Sequence, residues 1–210
     1  MRTGNREALL AGAKRCLYEK GFARTTARDV AAAAGVSLAA IGYHFRSLEA
    51  LLMAAMLEAI EEWGDEFARV VSGDTGGDPI ERLEATWTRL IESLTAHRPL
   101  WLASYEAFLQ AEHSPELREQ LAAGQELGRR GLAAAILRID EDAVGATAAR
   151  TLGSFQLALM SGLIAQWLVD PERAPSGRDL ADALRRIAAA VGPDDESDTA
   201  GPEDTIATQG

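Results

Sequence analysis

The segment Ala34-Gly-Val-Ser37 lies between two short stretches that each carry an apolar face, and it constrains the fold more than any other feature of the chain. Gly35 marks a left-handed stop for the stretch before it, Val36 turns inward, and Ser37 is expected to cap the stretch after it. Thr26 opens the first stretch, and Asp29 follows at capping-box spacing, with Asp in place of Glu. Val30, Ala31 and Ala34 supply its buried face. The second stretch, about 38–45, sets Ile41 and Phe45 one turn apart on its inner side. Two helices this short around a turn this tight predict a helix-turn-helix. They must cross steeply, so Ala31 and Ala34 are expected where the backbones approach, and Gly35 is needed because the turn adopts φ > 0.

Helical periods flank this unit. Leu10, Ala13 and Leu17 recur on one face of a helix expected over about 6–20, with Leu9 and Cys16 beside that stripe. Gly21 then ends the helix and Phe22 folds back on Leu17. Cys16 reads as a small buried apolar side chain. As the single cysteine it excludes an intrachain disulfide and a cysteine metal cluster. After the unit, Ser47 is expected to cap a long helix carrying Leu51, Leu52, Ala55 and Ile60.

The second helix of such a unit projects its N-terminal residues into the DNA major groove, yet the net charge is −11. Residues 1–50 resolve the conflict. They hold eight bases and four acids, a balance of +4, whereas the other 160 residues hold 13 bases and 28 acids, or −15. A basic head on an acidic body is what a chain shows when only its first segment meets phosphates. Residues 193–210 carry six acids, no base and one large aliphatic, Ile206, which predicts a disordered acidic tail. Ala and Leu dominate and β-branched residues are sparse, so the expected class is all-α. The polar N-terminus predicts no secretory leader. The most apolar run, Leu157 to Val169, is interrupted by Ser161, Gly162 and Gln166 and is read as too short to span a bilayer. The expected location is the cytoplasm, with no membrane partner.

Glu19-Lys-Gly-Phe22, Thr25-Thr26-Ala-Arg-Asp29-Val-Ala31, Ala34-Gly-Val-Ser37, Tyr43-His-Phe45 and Glu49-Ala-Leu-Leu52 follow one another in order. Over residues 6 to about 55 the chain resembles the N-terminal domain of the tetracycline-repressor (TetR) family of transcriptional regulators. The resemblance implies a homodimeric, ligand-responsive repressor that binds a palindromic operator. Its expected division is a three-helix helix-turn-helix domain over 1–46, a helical ligand-binding and dimerisation domain over 47–192, and the tail over 193–210.

Carried onto this sequence, the resemblance implies phosphate contacts by Thr26 and Ser37 at their helix starts, where the helix dipole favours an anion. Arg28 joins this set as a nearby base. Tyr43 and His44 are expected at phosphates, His44 also at a base edge. Leu38, Ala39 and Ala40 are expected at the groove floor, touching thymine methyls without bidentate hydrogen bonds, so DNA shape should carry part of the specificity. Arg2 and Arg6 are expected to reach an adjacent groove or phosphate. Two positions depart from the family pattern. Gly42 replaces a large residue, which close DNA approach would explain, and Leu48 replaces a Lys that would bind a phosphate.

The rest of the chain repeats the helical period. After a Gly/Asp break over 73–78, Pro79 opens a helix with Ile80, Leu83, Trp87, Leu90, Ile91 and Leu94 inward. Pro99 begins the next, Ser114-Pro115 a third, and Asp140 is expected to cap a long helix to about Val169. After a loop over 171–177 the last helix carries Leu180, Leu184, Ile187 and Val191. The long helix is apolar nearly all round and spaces Gly153, Ala158, Ser161, Gly162 and Ala165 along its length. With Leu184 these predict a four-helix dimer interface. Trp87, Trp101, Tyr105, Phe108, Phe155 and Gln156 are the expected lining of a pocket for a small hydrophobic or aromatic effector, with Glu106 and His97 as further polar candidates.

Nothing points to an enzyme. His44, His97 and His113 are scattered, with no metal spacing, phosphate-cradling loop or nucleophile elbow, and no cofactor is expected. The competing reading is a helical small-molecule binder that does not bind DNA, for which Gly42 and Leu48 are the support.

Overall fold

The computed structural model describes residues 2–71 and 78–191; the expected acidic tail and most of the Gly/Asp break lie outside the described residues. Nine helices account for almost all of this region, and no strand occurs among the described residues. They are α1 Arg2–Lys20, α2 Ala27–Ala34, α3 Ala39–Phe45, α4 Leu48–Val71, α5 Pro79–Ala96, α6 Arg98–Ala111, α7 Pro115–Leu137, α8 Ala146–Val169 and α9 Gly177–Val191.

Local chemistry explains most boundaries. Gly21 (φ 84°) and Gly35 (φ 65°) are left-handed, and Gly21 N–H bonds the Leu17 carbonyl. Thr26 and Asp29 form the expected capping box before α2. Ser47 Oγ accepts the Ala50 N–H before α4, and Ser114 Oγ the Leu117 N–H before α7. Ser176 and Asp179 form a second box before α9.

Several expectations fail. Ser37 does not cap α3 through its side chain. The turn closes on backbone bonds from Ala40 N–H to Ser37 C=O and from Ile41 N–H to Leu38 C=O, and α3 starts at Ala39. The tight i→i+3 closure leaves no cap for the hydroxyl to make. Asp140 precedes a single 3₁₀ turn over Glu141–Ala143 and makes no side-chain cap there; α8 starts six residues later, at Ala146. Ala34 meets α1, not α3: a Cβ on Gly12 would sit 2.9 Å from Ala34 N and 3.0 Å from its Cβ. The close approach therefore belongs to the α1–α2 crossing.

Two large cores and a small cluster of Ala133, Ala134, Val144 and Ala149 between α7 and α8 organise the helices. The first joins α1–α3 to the N-terminal half of α4 and to α6 and α7, through Leu9, Leu17, Val30, Ile41, Leu52, Met56, Leu100 and Leu121. It therefore runs across the boundary expected at residue 46. Cys16 is buried in it, and burial pushes its thiol pKa up. The second core joins the end of α4 to α5, α6, α8 and α9 through Trp63, Trp87, Trp101, Leu163 and Leu180.

Helix α8 is longer than the apolar run suggested. Its 24 residues have a mean hydropathy of 1.4 over the most apolar window, so by length and composition it is sufficient to cross a membrane, and 17% of that window is buried within the chain. A π-helical segment over Ala149–Gly153 interrupts it. There Gly153 lies against α7 so closely that a Cβ would come within 2.1 Å of the Arg129 carbonyl oxygen. Gly153 thus serves a crossing inside its own chain.

Candidate functional site

The helix-turn-helix is anchored from below and open above. Val30, Ile41 and Phe45 are buried, whereas Leu38, Ala39 and Tyr43 are exposed, Tyr43 by 65%. Ala40 is half-buried against the core, so it offers less to a groove than its neighbours. Gly42 is exposed, and a Cβ there would meet nothing within 4 Å. No packing among the described residues demands a glycine at that place. His44 is half-buried with its ring edge-on to Tyr43, centroids 4.9 Å apart.

At the start of α2 the geometry narrows the role of Thr26. Its hydroxyl donates to Asp29 Oδ2 at 2.7 Å and accepts the Asp29 N–H, while its own N–H donates to the same carboxylate at 2.9 Å. Lys20 Nζ sits 2.5 Å from the other carboxylate oxygen. The Lys20 hydrogen bond, then those from Thr26, hold the Asp29 carboxyl far below the usual carboxylate range. With the hydroxyl committed, a phosphate at this helix start is left the unpaired N–H groups of the first turn and the exposed Arg28.

Other bases lie around this face. Arg6 is exposed, and its guanidinium stands over the Phe45 ring at 5.2 Å, which ties α1 to the end of α3. The Arg2 side chain lies outside the described residues. Ser37 is exposed beside Leu38. Arg46, which sequence reasoning passed over, is exposed at the end of α3 with φ 69°, next to Tyr43 and His44. Its charge was visible in the basic head; its left-handed backbone was not. Leu48, in the first turn of α4, is half-buried against the first core.

Two side chains, Lys14 and Glu106, link this head to the rest, and a bond from Trp63 ties α4 to α5. Lys14 on α1 bonds Glu58 and Glu62 of α4, each at 2.7 Å. Burial opposes its charge, but the two carboxylates outweigh that and raise the Lys14 pKa. Trp63 Nε1 of α4 donates to Ser93 Oγ of α5 at 2.8 Å. Glu106 of α6 accepts the Ala23 N–H, in the turn between α1 and α2, at 2.9 Å.

The structure sets the six residues expected around an effector in different surroundings. Trp87 and Trp101 are buried in the second core, and Trp101 packs edge-on to Trp63 with centroids 4.7 Å apart. Tyr105 is half-buried and its hydroxyl donates to the Ser161 carbonyl of α8. Gln156 is half-buried, while Phe108 and Phe155 are 45% and 56% exposed. Periodicity marked these aromatics as large without telling which flank meets solvent. Of the six, only Trp101 lines the open cleft between α5, α6 and α8, which has a volume of about 50 Å³. His97, at the α5–α6 junction, has Nδ1 3.0 Å from the Ser93 carbonyl. Of the residues expected between subunits, Ala158, Ser161 and Gly162 are exposed, Ala165 and Leu184 half-buried, and Gly153 buried.

Residues 9–55 match the profile of bacterial regulatory proteins of the tetR family, and residues 78–190 that of the tetracyclin repressor-like C-terminal domain. The HTH-type transcriptional regulator TtgR of Pseudomonas putida is 37% identical over 75 residues, 36% of this chain and 35% of that protein. The chain thus matches about a third of the length of this curated relative. Among solved structures, the multidrug binding protein EbrR complexed with proflavin is 28% identical with a TM-score of 0.58, over 87% of this chain and 99% of that one. A putative transcriptional regulator from Mesorhizobium loti shares the fold at 15% identity and TM-score 0.66, over 90% and 98% of the two chains.

Proposed function

The chain belongs to the tetR family of bacterial regulatory proteins, and from that premise we propose that it is a ligand-responsive repressor that binds a palindromic operator as a homodimer. A small hydrophobic or aromatic effector releases it. The observation that carries the reading is the α3 surface: Leu38, Ala39, Gly42 and Tyr43 face outward on a helix whose Ile41 and Phe45 are locked in the core. A rigid helix with a small, exposed N-terminal face fits a major groove. Thr26, Arg28, Ser37, Tyr43, His44 and Arg6 surround it as contacts to phosphates, with His44 also at a base edge, and Ala40 lies at its margin.

The dimer reading rests on α8 and α9. Phe155, Ala158, Gly162 and Val169 leave an apolar stripe in the open, and Ile187 and Val191 do the same on α9. A second copy covers both stripes with one two-fold contact. Leu163 and Ile164 on the opposite flank of α8 are held in the second core. The division into 1–46 and 47–192 is the functional one, with α4 shared between them. An effector that fits one arrangement of the heads shifts α4 and the spacing of the two recognition helices. The EbrR complex with proflavin supports a small-molecule effector for the C-terminal domain.

Selection of bound sequences from random duplexes tests this. A palindrome with half-sites about one helical turn or more apart is expected, with affinity that falls as salt rises. Enrichment of no sequence would defeat the repressor reading.

A further inference from the structure

The cleft between α5, α6 and α8 has an unusual polar balance. Its walls are the Trp101 and Trp167 indoles with Ile164 and Leu168, and its polar lining is Thr95 and Arg98. No carboxylate of the described residues lines it. Most of its donors are already engaged. Thr95 Oγ1 donates to the Ile91 carbonyl, and Trp167 Nε1 to the Pro175 carbonyl at 3.3 Å. Arg98 lays one guanidinium nitrogen 3.3 Å from the Leu168 carbonyl, across the gap between α6 and α8, which leaves further N–H groups of its fork at the rim.

Trp101 is the exception. It is 4% exposed, and its Nε1 is buried with no hydrogen-bond partner among the described residues. A buried N–H without an acceptor is costly, so an orphan donor on a residue that lines a cleft marks a place where a ligand acceptor gains more than it would in water. An indole N–H and a guanidinium are both donors only. A cation would find rings here but no anion to pair with.

We infer that this cleft is the effector seat and that it takes the carboxylate end of an apolar acid, held by Arg98 and the Trp101 N–H. This rests on the reading of the C-terminal domain as an effector domain. The volume of this open cleft, about 50 Å³, is a third of the ~150 Å³ cavity that admits benzene. It therefore seats the carboxylate and first carbons, and the apolar remainder lies along Trp167 and Leu168 toward the mouth. Trp101 also touches Trp63 of α4 edge-on, so a ligand bonded to Trp101 acts directly on the helix that carries the head.

Calorimetry on the full chain with hexanoate and benzoate, against hexylamine and benzylamine, decides the charge class. The acids are expected to bind at least about tenfold tighter than the amines, and Trp101→Phe and Arg98→Gln each to weaken acid binding by about tenfold or more. Trp101→Phe keeps an aromatic ring in place, and Arg98 is exposed, so thermal melts close to wild type would show both variants folded. Amines binding as well as acids, no acid binding, or folded variants that bind acids like wild type would overturn the assignment. Anisotropy of a labelled operator duplex is read separately. Acid that binds without releasing DNA defeats the release reading and leaves the acid seat standing; a protein that binds no duplex defeats the repressor reading while calorimetry still decides the seat.

Discussion

The Glu106 carboxylate on α6 accepts the backbone N–H of Ala23 at 2.9 Å, across 83 positions of sequence. The same carboxylate presses on Gly21, where an added Cβ would meet Oε2 at 2.8 Å. One side chain therefore joins the turn before the recognition unit to a helix whose first residues, Arg98 and Trp101, line the cleft.

Glu106→Ala should uncouple the two ends. Effector-induced release of operator should shrink several-fold, and stability should fall by about 1 kcal/mol, because the bond is exposed and water can take up the freed N–H. Glu106→Gln keeps an acceptor oxygen and should restore most of both. Operator anisotropy with and without effector, beside urea unfolding, reads the two effects. Equal behaviour of the two variants would show that the bond to Ala23 does not carry the coupling.

Gly42→Ala separates folding from DNA approach. The new Cβ meets nothing within 4 Å, and replacing a helical glycine gains about 1 kcal/mol. The variant should melt higher and bind operator more weakly, because the methyl stands where the groove comes close. A variant that melts higher and binds as before would show that α3 does not press its mid-helix backbone on DNA.

Asp29 predicts an acid-sensitive head. Its carboxyl is lowered in the fold by Lys20 and Thr26. A group lowered on folding contributes stability above its unfolded value, ~3.9, and that contribution is lost as pH falls below it toward the folded value. Asp29→Asn should therefore be less stable than wild type near neutral pH, with the gap closing below about pH 4. Denaturant titrations across that range measure it; a gap independent of pH would mean that the charge contributes nothing.

Leu48→Lys places a base at the start of α4. Leu48 is half-buried, and a lysine stem can cover the same apolar surface while its ammonium reaches out. The slope of log K against log salt for operator binding should steepen by about one unit. An unchanged slope would show that this turn does not face the phosphates.

Phe155→Asp tests the open face of α8. The ring is 56% exposed in the single chain, so little intrachain packing is lost, whereas a charge in a two-fold contact is met by its own copy. Sedimentation should show a monomer that no longer binds the palindrome. A dimer of unchanged stability would place the interface elsewhere.

Features set by neighbouring residues were legible in the sequence. The Thr26–Asp29 box and the left-handed Gly21 and Gly35 need only a few adjacent side chains, and the structure has all three. Ser37 misled because a backbone-closed turn pre-empts the cap its residue type suggests. The start of α8 misled because Asp140 stands before a separate 3₁₀ turn. Arg6 was readable as a base, but its place over Phe45 depends on how α1 packs on α3. The effector residues were the least legible. Trp87 and Phe155 look alike in a helical period, yet one is in a core and the other in the open, and only tertiary packing separates them. Glu106 was read as a polar pocket group, and its partner in the Ala23 turn is invisible to any local pattern.

Helix α8 leaves most of its apolar surface uncovered within one chain, with Val169 85% exposed at its end. In the proposed dimer a second copy supplies that cover, so assembly adds to stability, and the amount of active species grows with the square of the free chain at low abundance. Operator occupancy then responds to copy number more steeply than in proportion. A modest fall in synthesis would open the regulated genes even with no effector present, and the melting temperature in the test tube should climb with protein concentration.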